Sequence, residues 1–327
     1  MQRRRFLVST GAAAAALAAP ALVRAQAGWP AGPVKLVVGF PPGGGADALA
    51  RVVGAKLTSI WGQQVLVENR AGASSTLAAE FVAQQPADGQ TLFLSTINSH
   101  ALAPAVQPKL RYHPERDFAP IVLLGVTPNL LITRSGAPER SLKDVVAACR
   151  AQPGRVSFGS AGPGTIQHFA IEKFKLLAGV DALHVPYKGS GPLLTDLIGG
   201  QIQFTFETMT AATPHLKGGK VIALAQTRAQ RSKAWPEVPT MQEQGYAGFE
   251  TMNWYGLSAP ARLSPALVRR INADVNQVLA MADIDRQLDG FGIEDGGGSV
   301  ERYAEFTRSE TGKWAQVAKE AKVSIDS

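Results

Sequence analysis

The sequence predicts an α/β protein of two lobes, on three observations. From Val34 onward, short apolar runs alternate with longer segments of helical periodicity, the mark of layered α/β units. The alternation recurs as a second series that begins at Val156. Chain then remains to return to the first half, which implies two joined halves with a cleft between them.

The first strands are expected at Val34–Phe40, Val65–Val67, Thr91–Ser95, Ile121–Leu124 and Leu130–Thr133. Between them Leu49, Val52, Val53 and Leu57 recur at helical spacing, as do Leu77, Phe81 and Val82. Ser141-Leu142-Lys143-Asp144 resembles a capping box, ahead of an apolar face that carries Val145 and a buried Cys149. The second series runs through Val156–Phe158, a helix from Phe169 to Leu177, His184–Tyr187, a helix from Leu193 to Ile198, Phe204–Phe206 and Val221–Gln226. Trp254–Ser258 reads as a further strand. Ser264-Pro265 opens a helix with Ser as N-cap and the stripe Leu267, Ile271, Val275, Val278 and Leu279. A last helix carries Tyr303, Phe306, Trp314 and Val317 as core residues. The crossings between halves fall near Thr127–Asn129 and Asn253–Tyr255, which puts 28–127 with 255–327 in one lobe and 128–254 in the other.

With 327 residues and 45% hydrophobic content, the chain can fill two ordinary cores. Its single cysteine excludes an internal disulfide and a thiolate zinc cluster. The five histidines never occur as H-x-x-x-H or beside clustered acids, so no metal site is expected. Residues 1–25 have the anatomy of an export signal: Arg3-Arg4-Arg5, a largely alanine run from Gly11 to Leu22, and small residues for cleavage after Ala25 or Ala27. The route is either twin-arginine or general secretory, since Gln2 stands where the twin-arginine pattern has Ser or Thr. These 25 residues hold four arginines and no acid, so their removal lowers the formal charge from +7 to +3. A charge that small argues against a nucleic-acid partner.

The sharpest local feature is Phe40-Pro41-Pro42-Gly43-Gly44-Gly45-Ala46-Asp47, between the first strand and its helix. Consecutive glycines admit a ligand to the backbone N–H groups, and the following helix N-terminus favours an anion. Gly43 to Ala48 also satisfies the G-x-G-x-x-A dinucleotide pattern, with Glu68 ending the next strand, so a nucleotide-dependent oxidoreductase stays open as an alternative. Gly159-Ser160-Ala161-Gly162-Pro163-Gly164-Thr165 offers a second strand-to-helix loop suited to a carboxylate or phosphate. It is no nucleophile elbow, because Phe158 stands where glycine is needed, and Ser190 fails likewise at Lys188. Glu207, at the end of a strand, is a candidate receiver for a ligand ammonium or hydroxyl.

Several motifs in order then carry a resemblance: Val37 to Asp47, Val67-Glu68-Asn69-Arg70, Pro86-Ala87-Asp88-Gly89, Val185-Pro186-Tyr187-Lys188-Gly189, Asp196 to Gln201 and Val238-Pro239-Thr240. Jointly they resemble the Bug family of periplasmic solute receptors of tripartite tricarboxylate transporters. The resemblance implies a type II periplasmic binding fold, with no catalysis and no cofactor, that closes as a monomer on a small carboxylate and delivers it to membrane permease subunits. A sensory receptor would present the same sequence. The implied ligand-binding residues are Pro42, Gly43, Gly44, Asp47, Ser74, Ser75, Thr96 and Asn98 in the first lobe. In the second they are Ser160, Ala161, Gly164, Thr165, His168 and Glu207. Two departures bear on ligand choice: Gly72-Ala73-Ser74-Ser75 replaces the usual Gly-Ala-Gly-Gly, and Glu207-Thr208 replaces a frequent Asp-Asn.

Overall fold

The computed structural model describes residues 28–321; the expected export signal lies outside them. The first series is β1 (Val34–Val38), α1 (Gly45–Trp61), β2 (Val65–Asn69), α2 (Thr76–Ala83) and β3 (Thr91–Thr96). β1 pairs in parallel with both β2 and β3, as strands joined by crossover helices do. A π-helical stretch, Asn98–Leu102, and the short α3 (Ala103–Val106) follow and lead to β4 (Phe118–Arg134).

The sequence suggested two strands where β4 is one of 17 residues. Gly125 and Pro128 look like breaks, but Pro128 suits extended backbone, and Gly125, at φ +144°, sits at an irregularity in the pairing with β9 (Met252–Pro260). A Cβ on Gly125 would lie 2.4 Å from Ile293 Cγ2, so close packing also requires glycine there. β4 pairs antiparallel with β9 from Phe118 to Pro128, and from Asn129 onward with β7 (Phe204–Thr208) and β8 (Val221–Gln226). One strand thus passes from one lobe to the other without a loop.

The second series is α4 (Leu142–Ala151), β5 (Ser157–Ser160), α5 (Ile166–Ala178), β6 (Leu183–Pro186), α6 (Ser190–Gly199), β7 and α7 (Met209–Lys217). β5 pairs in parallel with β6 and β7. The sheets are therefore mixed: parallel within each series, antiparallel where β4 and β9 link them. The chain closes with α8 (Pro265–Leu279), α9 (Ala282–Gly290) and α10 (Val300–Ala321).

Each lobe has its own core. Leu36, Leu49, Leu57, Leu92, Ile121 and Ile271 belong to one cluster, and Val145, Phe158, Phe174, Phe204 and Phe206 to another. Cys149 lies fully buried in the second, where burial pushes its thiol up to about 11. A third cluster bridges the halves. Ile97, Leu102 and Trp314 pack with Ile166 and Phe169, and the Phe169 and Trp314 rings meet edge-on at 5.5 Å.

Candidate ligand-binding site

Four helices begin at one small cavity of about 20 Å3 between the lobes. Gly45 and Ala46 open α1, Gln167 lies in the first turn of α5, Ser190 opens α6 and Thr208 caps α7; all four line it. Each helix follows the C-terminal end of a strand, where α/β sheets place their ligand sites. Helix N-termini bring unsatisfied N–H groups and positive partial charge, so the convergence favours an anion. A wider cavity of about 460 Å3 adjoins, lined by Pro41, Gly72, Ser74, Pro163, Tyr187 and Lys188 among others. Both cavities are lined by Phe40 and Ala161.

The glycine loop is held open by Asp47. Its carboxylate accepts from Gly43 N–H at 3.1 Å, from Arg51 in a two-pronged pair at 2.9 and 3.0 Å, and from Asn69 Nδ2 at 3.0 Å. Burial raises this carboxyl's pKa, but the hydrogen bonds from Arg51, Asn69 and Gly43 outweigh that and hold it below its usual value. Asp47 and Gly43 line neither cavity; they shape the loop. Gly43 adopts φ +86°, a conformation that favours glycine. At Gly45 a Cβ would lie 2.7 Å from the Tyr255 hydroxyl and 2.9 Å from Thr210 Cβ, so only glycine lets this backbone reach the far wall.

The lobes meet across the cleft. Asn98 Oδ1 accepts from Ile166 N–H at 3.0 Å, and Ser74 Oγ donates to Pro163 O at 2.6 Å. Of the residues expected to bind ligand, Gly44, Thr96, Asn98 and Ala161 line the inner cavity, and Ser74 the outer. Pro42 lines neither, but its carbonyl faces Gly191 across the cleft. Ser75 is fully buried, with its hydroxyl packed against Gly39.

The second loop is braced from behind. Gly162 N–H donates to Ser160 Oγ, Thr165 Oγ1 donates to Gly162 O, and Gly164 N–H donates to His168 Nδ1. Ser160 Oγ also bonds His184 Nε2 at 2.6 Å, and the His168 and His184 rings stack at 4.1 Å. Burial lowers both imidazoles, His184 to about 4. Ser160 is completely buried, so this serine–histidine pair holds the loop rather than facing solvent.

Glu207 sits one layer behind the inner cavity. Its Oε1 accepts from Ser190 Oγ at 3.0 Å, Gln167 Nε2 at 3.3 Å, Thr208 N–H at 2.7 Å and Thr208 Oγ1 at 3.2 Å. Burial raises its pKa. Sequence reasoning missed Gln167, Ser190, Asn253 and Tyr255 as lining residues. The available signal was position, since Gln167 and Ser190 both follow strands of the second series.

The comparisons with known proteins bear on this site. Residues 49–323 match the family described as the tripartite tricarboxylate transporter family receptor. The chain belongs to this receptor family. It is 34% identical to the protein BugT of Bordetella pertussis over 98% of both chains. Among solved structures, Rpa4515 of R. palustris with adipate superposes with a TM-score of 0.87 at 35% identity, covering 90% of this chain and 99% of that one. MatC of Rhodopseudomonas palustris with bound malate gives 0.82 at 32% identity, covering 88% and 99%. The periplasmic binding protein BugD gives a TM-score of 0.87 at 29% identity, covering 91% and 100%; the fold is that of periplasmic binding proteins, and members of the receptor family are solute-binding proteins. Among the described residues no group of three or more His, Cys, Asp or Glu side chains is placed to hold a metal ion.

Proposed function

We propose that this receptor binds a small carboxylate between its lobes, outside the cytoplasm, and hands it to the membrane permease of a tripartite tricarboxylate transporter without chemical change. The observation that carries the reading is the meeting of four helix N-termini at a buried cleft next to a triple-glycine loop. Adipate in Rpa4515 and malate in MatC, both structures more than 30% identical to this chain, support it.

The ligand carboxylate sits against the first turn of α1, where the Gly45 and Ala46 N–H groups have no intrahelical acceptor. Asn98 belongs to the same wall. A backbone N–H can only donate, so the Ile166 bond orients the Asn98 oxygen away and leaves its NH2 for the ligand. The inner cavity, at about 20 Å3, has room for little more than a water molecule, so the carboxylate enters as the lobes part and is gripped as they return. The remainder of the ligand extends into the outer cavity, where Lys188 suits a second anionic group. The lobes, 28–127 with 255–327 and 128–254, swing about β4 at Thr127–Asn129 and the start of β9. There Asn129 N–H donates to Thr227 Oγ1 at 2.9 Å and Thr251 N–H donates to Thr227 O at 3.2 Å. A ligand touching both lobes favours the closed form by its differential affinity.

Thermal unfolding of the mature chain against mono-, di- and tricarboxylates tests this. A ligand at a hundred times its dissociation constant stabilises by about 2.7 kcal/mol, a shift of a few degrees. Stabilisation by amines or sugars but by no carboxylate would overturn the reading.

A further inference from the structure

The two walls of the inner cavity differ in hydrogen-bonding polarity. On the first lobe, α1 and Asn98 present donors. On the opposite side the side-chain donors of Gln167 and Ser190 both point to Glu207. Gln167 gives its NH2 to Glu207, which as an acceptor fixes the amide so that Gln167 Oε1 faces away from it. That oxygen is buried and has no partner, with Gln167 itself only 4% exposed. Ser190 gives its hydroxyl proton to the same carboxylate and keeps lone pairs. Asn253 Oδ1 is likewise buried and unpartnered. Gln167, Ser190 and Asn253 all line the cavity, whereas Glu207 does not. Buried acceptors without partners are costly, and a site that contains them discriminates by what a ligand can donate.

We propose that Glu207 is a positioning residue that fixes Gln167 and Ser190 as acceptors beside the Asn253 Oδ1, so that the receptor selects carboxylates bearing a hydroxyl or ammonium beside the carboxyl over their plain counterparts. The carboxylate meets the α1 wall and the adjacent O–H or N–H donates across the cavity. This rests on the carboxylate reading and narrows it to hydroxy and amino acids. Glu207 acts through Ser190 and Gln167, without itself touching the ligand. Ser190, Gln167 and Thr208 all donate to Oε1, whereas Oε2 has no partner, so Glu207→Gln keeps the acceptor and Glu207→Met removes it, freeing both neighbours to turn their donors inward.

The test is titration calorimetry with two matched series, succinate, L-malate and L-aspartate, then adipate, 2-hydroxyadipate and 2-aminoadipate. In each, the members differ only at C2. In the wild-type protein the substituted acids of whichever series binds are expected to bind at least about tenfold tighter than the plain acid. In Glu207→Met the ratio falls to within about threefold while affinity for the plain acid holds, a change that simple loss of structure would not produce. Ser190→Ala, which removes one acceptor and keeps Glu207, serves if Glu207→Met does not fold; it is expected to reduce the same ratio. Equal binding of plain and substituted acids in the wild type would leave the carboxylate reading standing and overturn this inference. A wild-type ratio retained in Glu207→Met, or in Ser190→Ala where that variant is the one that folds, would overturn it too. Binding of no member of either series would overturn this inference, and the carboxylate reading with it where no other mono-, di- or tricarboxylate stabilises the protein.

Discussion

Asn98 Oδ1 and the Ile166 amide, 68 positions apart in sequence, form a 3.0 Å buried hydrogen bond that ties the end of β3 to the start of α5. One side chain thereby satisfies an orphan N–H of a second-lobe helix and orients its own NH2 toward the cavity. Asn98→Ala leaves that N–H without a partner when the lobes close. Such a group costs about 1–3 kcal/mol. Calorimetry should show ligand affinity reduced roughly 5- to 100-fold with little change in the unfolding temperature of the free protein. Undiminished affinity would show that the bond does not contribute to closure.

Gly44 faces Ser190 across the cleft, and a Cβ there would lie 3.5 Å from Ser190 Cβ. Alanine fits that space and valine does not. Gly44→Val is expected to weaken binding by the about 1–3 kcal/mol that overpacking imposes, felt only in the closed form. Gly44→Ala should bind nearly as the wild type does. Comparison of the two by calorimetry checks this; equal loss in both would point to backbone conformation instead of steric closure.

Asp47 braces the loop through Gly43, Arg51 and Asn69. Asp47→Ala should lower stability in urea by about 1.5–3 kcal/mol, the range for hydrogen bonds to a charged group. Because the folded carboxyl lies below its ordinary value, its contribution is present above the usual carboxylate range and is lost as pH falls through it. The wild-type and Asp47→Ala stability curves should therefore converge under acid conditions, and a constant gap would contradict the role.

The His168–His184 stack carries a pH dependence of its own. Both imidazoles sit below their ordinary value of about 6.5, so the folded state favours the neutral rings. Stability from this pair is full above that value and falls as pH drops toward 4, the folded value for His184. Protonated His168 could no longer accept from Gly164 N–H, which ties the loop to the same titration. Unfolding temperature measured from pH 7.5 down to 4.5 should decline less steeply in His168→Gln than in the wild type. Parallel curves would dissociate the pair from acid sensitivity.

Much of the architecture was legible because apolar periodicity is a local property. The two α/β series and the Ser264 cap with its Leu267–Val278 stripe both follow from it. The continuity of β4 was hidden, since Gly125 and Pro128 carry the same letters in a broken strand as in a bulged one. α9 and α7 were also missed; α9 is short and mostly polar, and α7 carries Pro214. At the site the triple glycine marked the loop that opens α1, yet sequence could not tell the residues that line the cavities from those that support them. Asp47 and Glu207 stand at strand-end and loop positions, but their partners lie 1 to 40 residues away, and only the fold shows that neither lines a cavity.

A carboxylate held by the α1 N-terminus is expected to draw the lobes together. Small-angle scattering of the mature protein, recorded with and without a saturating carboxylate, tests it most directly when run beside Gly44→Val. The radius of gyration is expected to fall on ligand addition in the wild type and to fall less in the variant at the same ligand concentration. Carboxylate binding without compaction in the wild type, or equal compaction in both proteins, would contradict it.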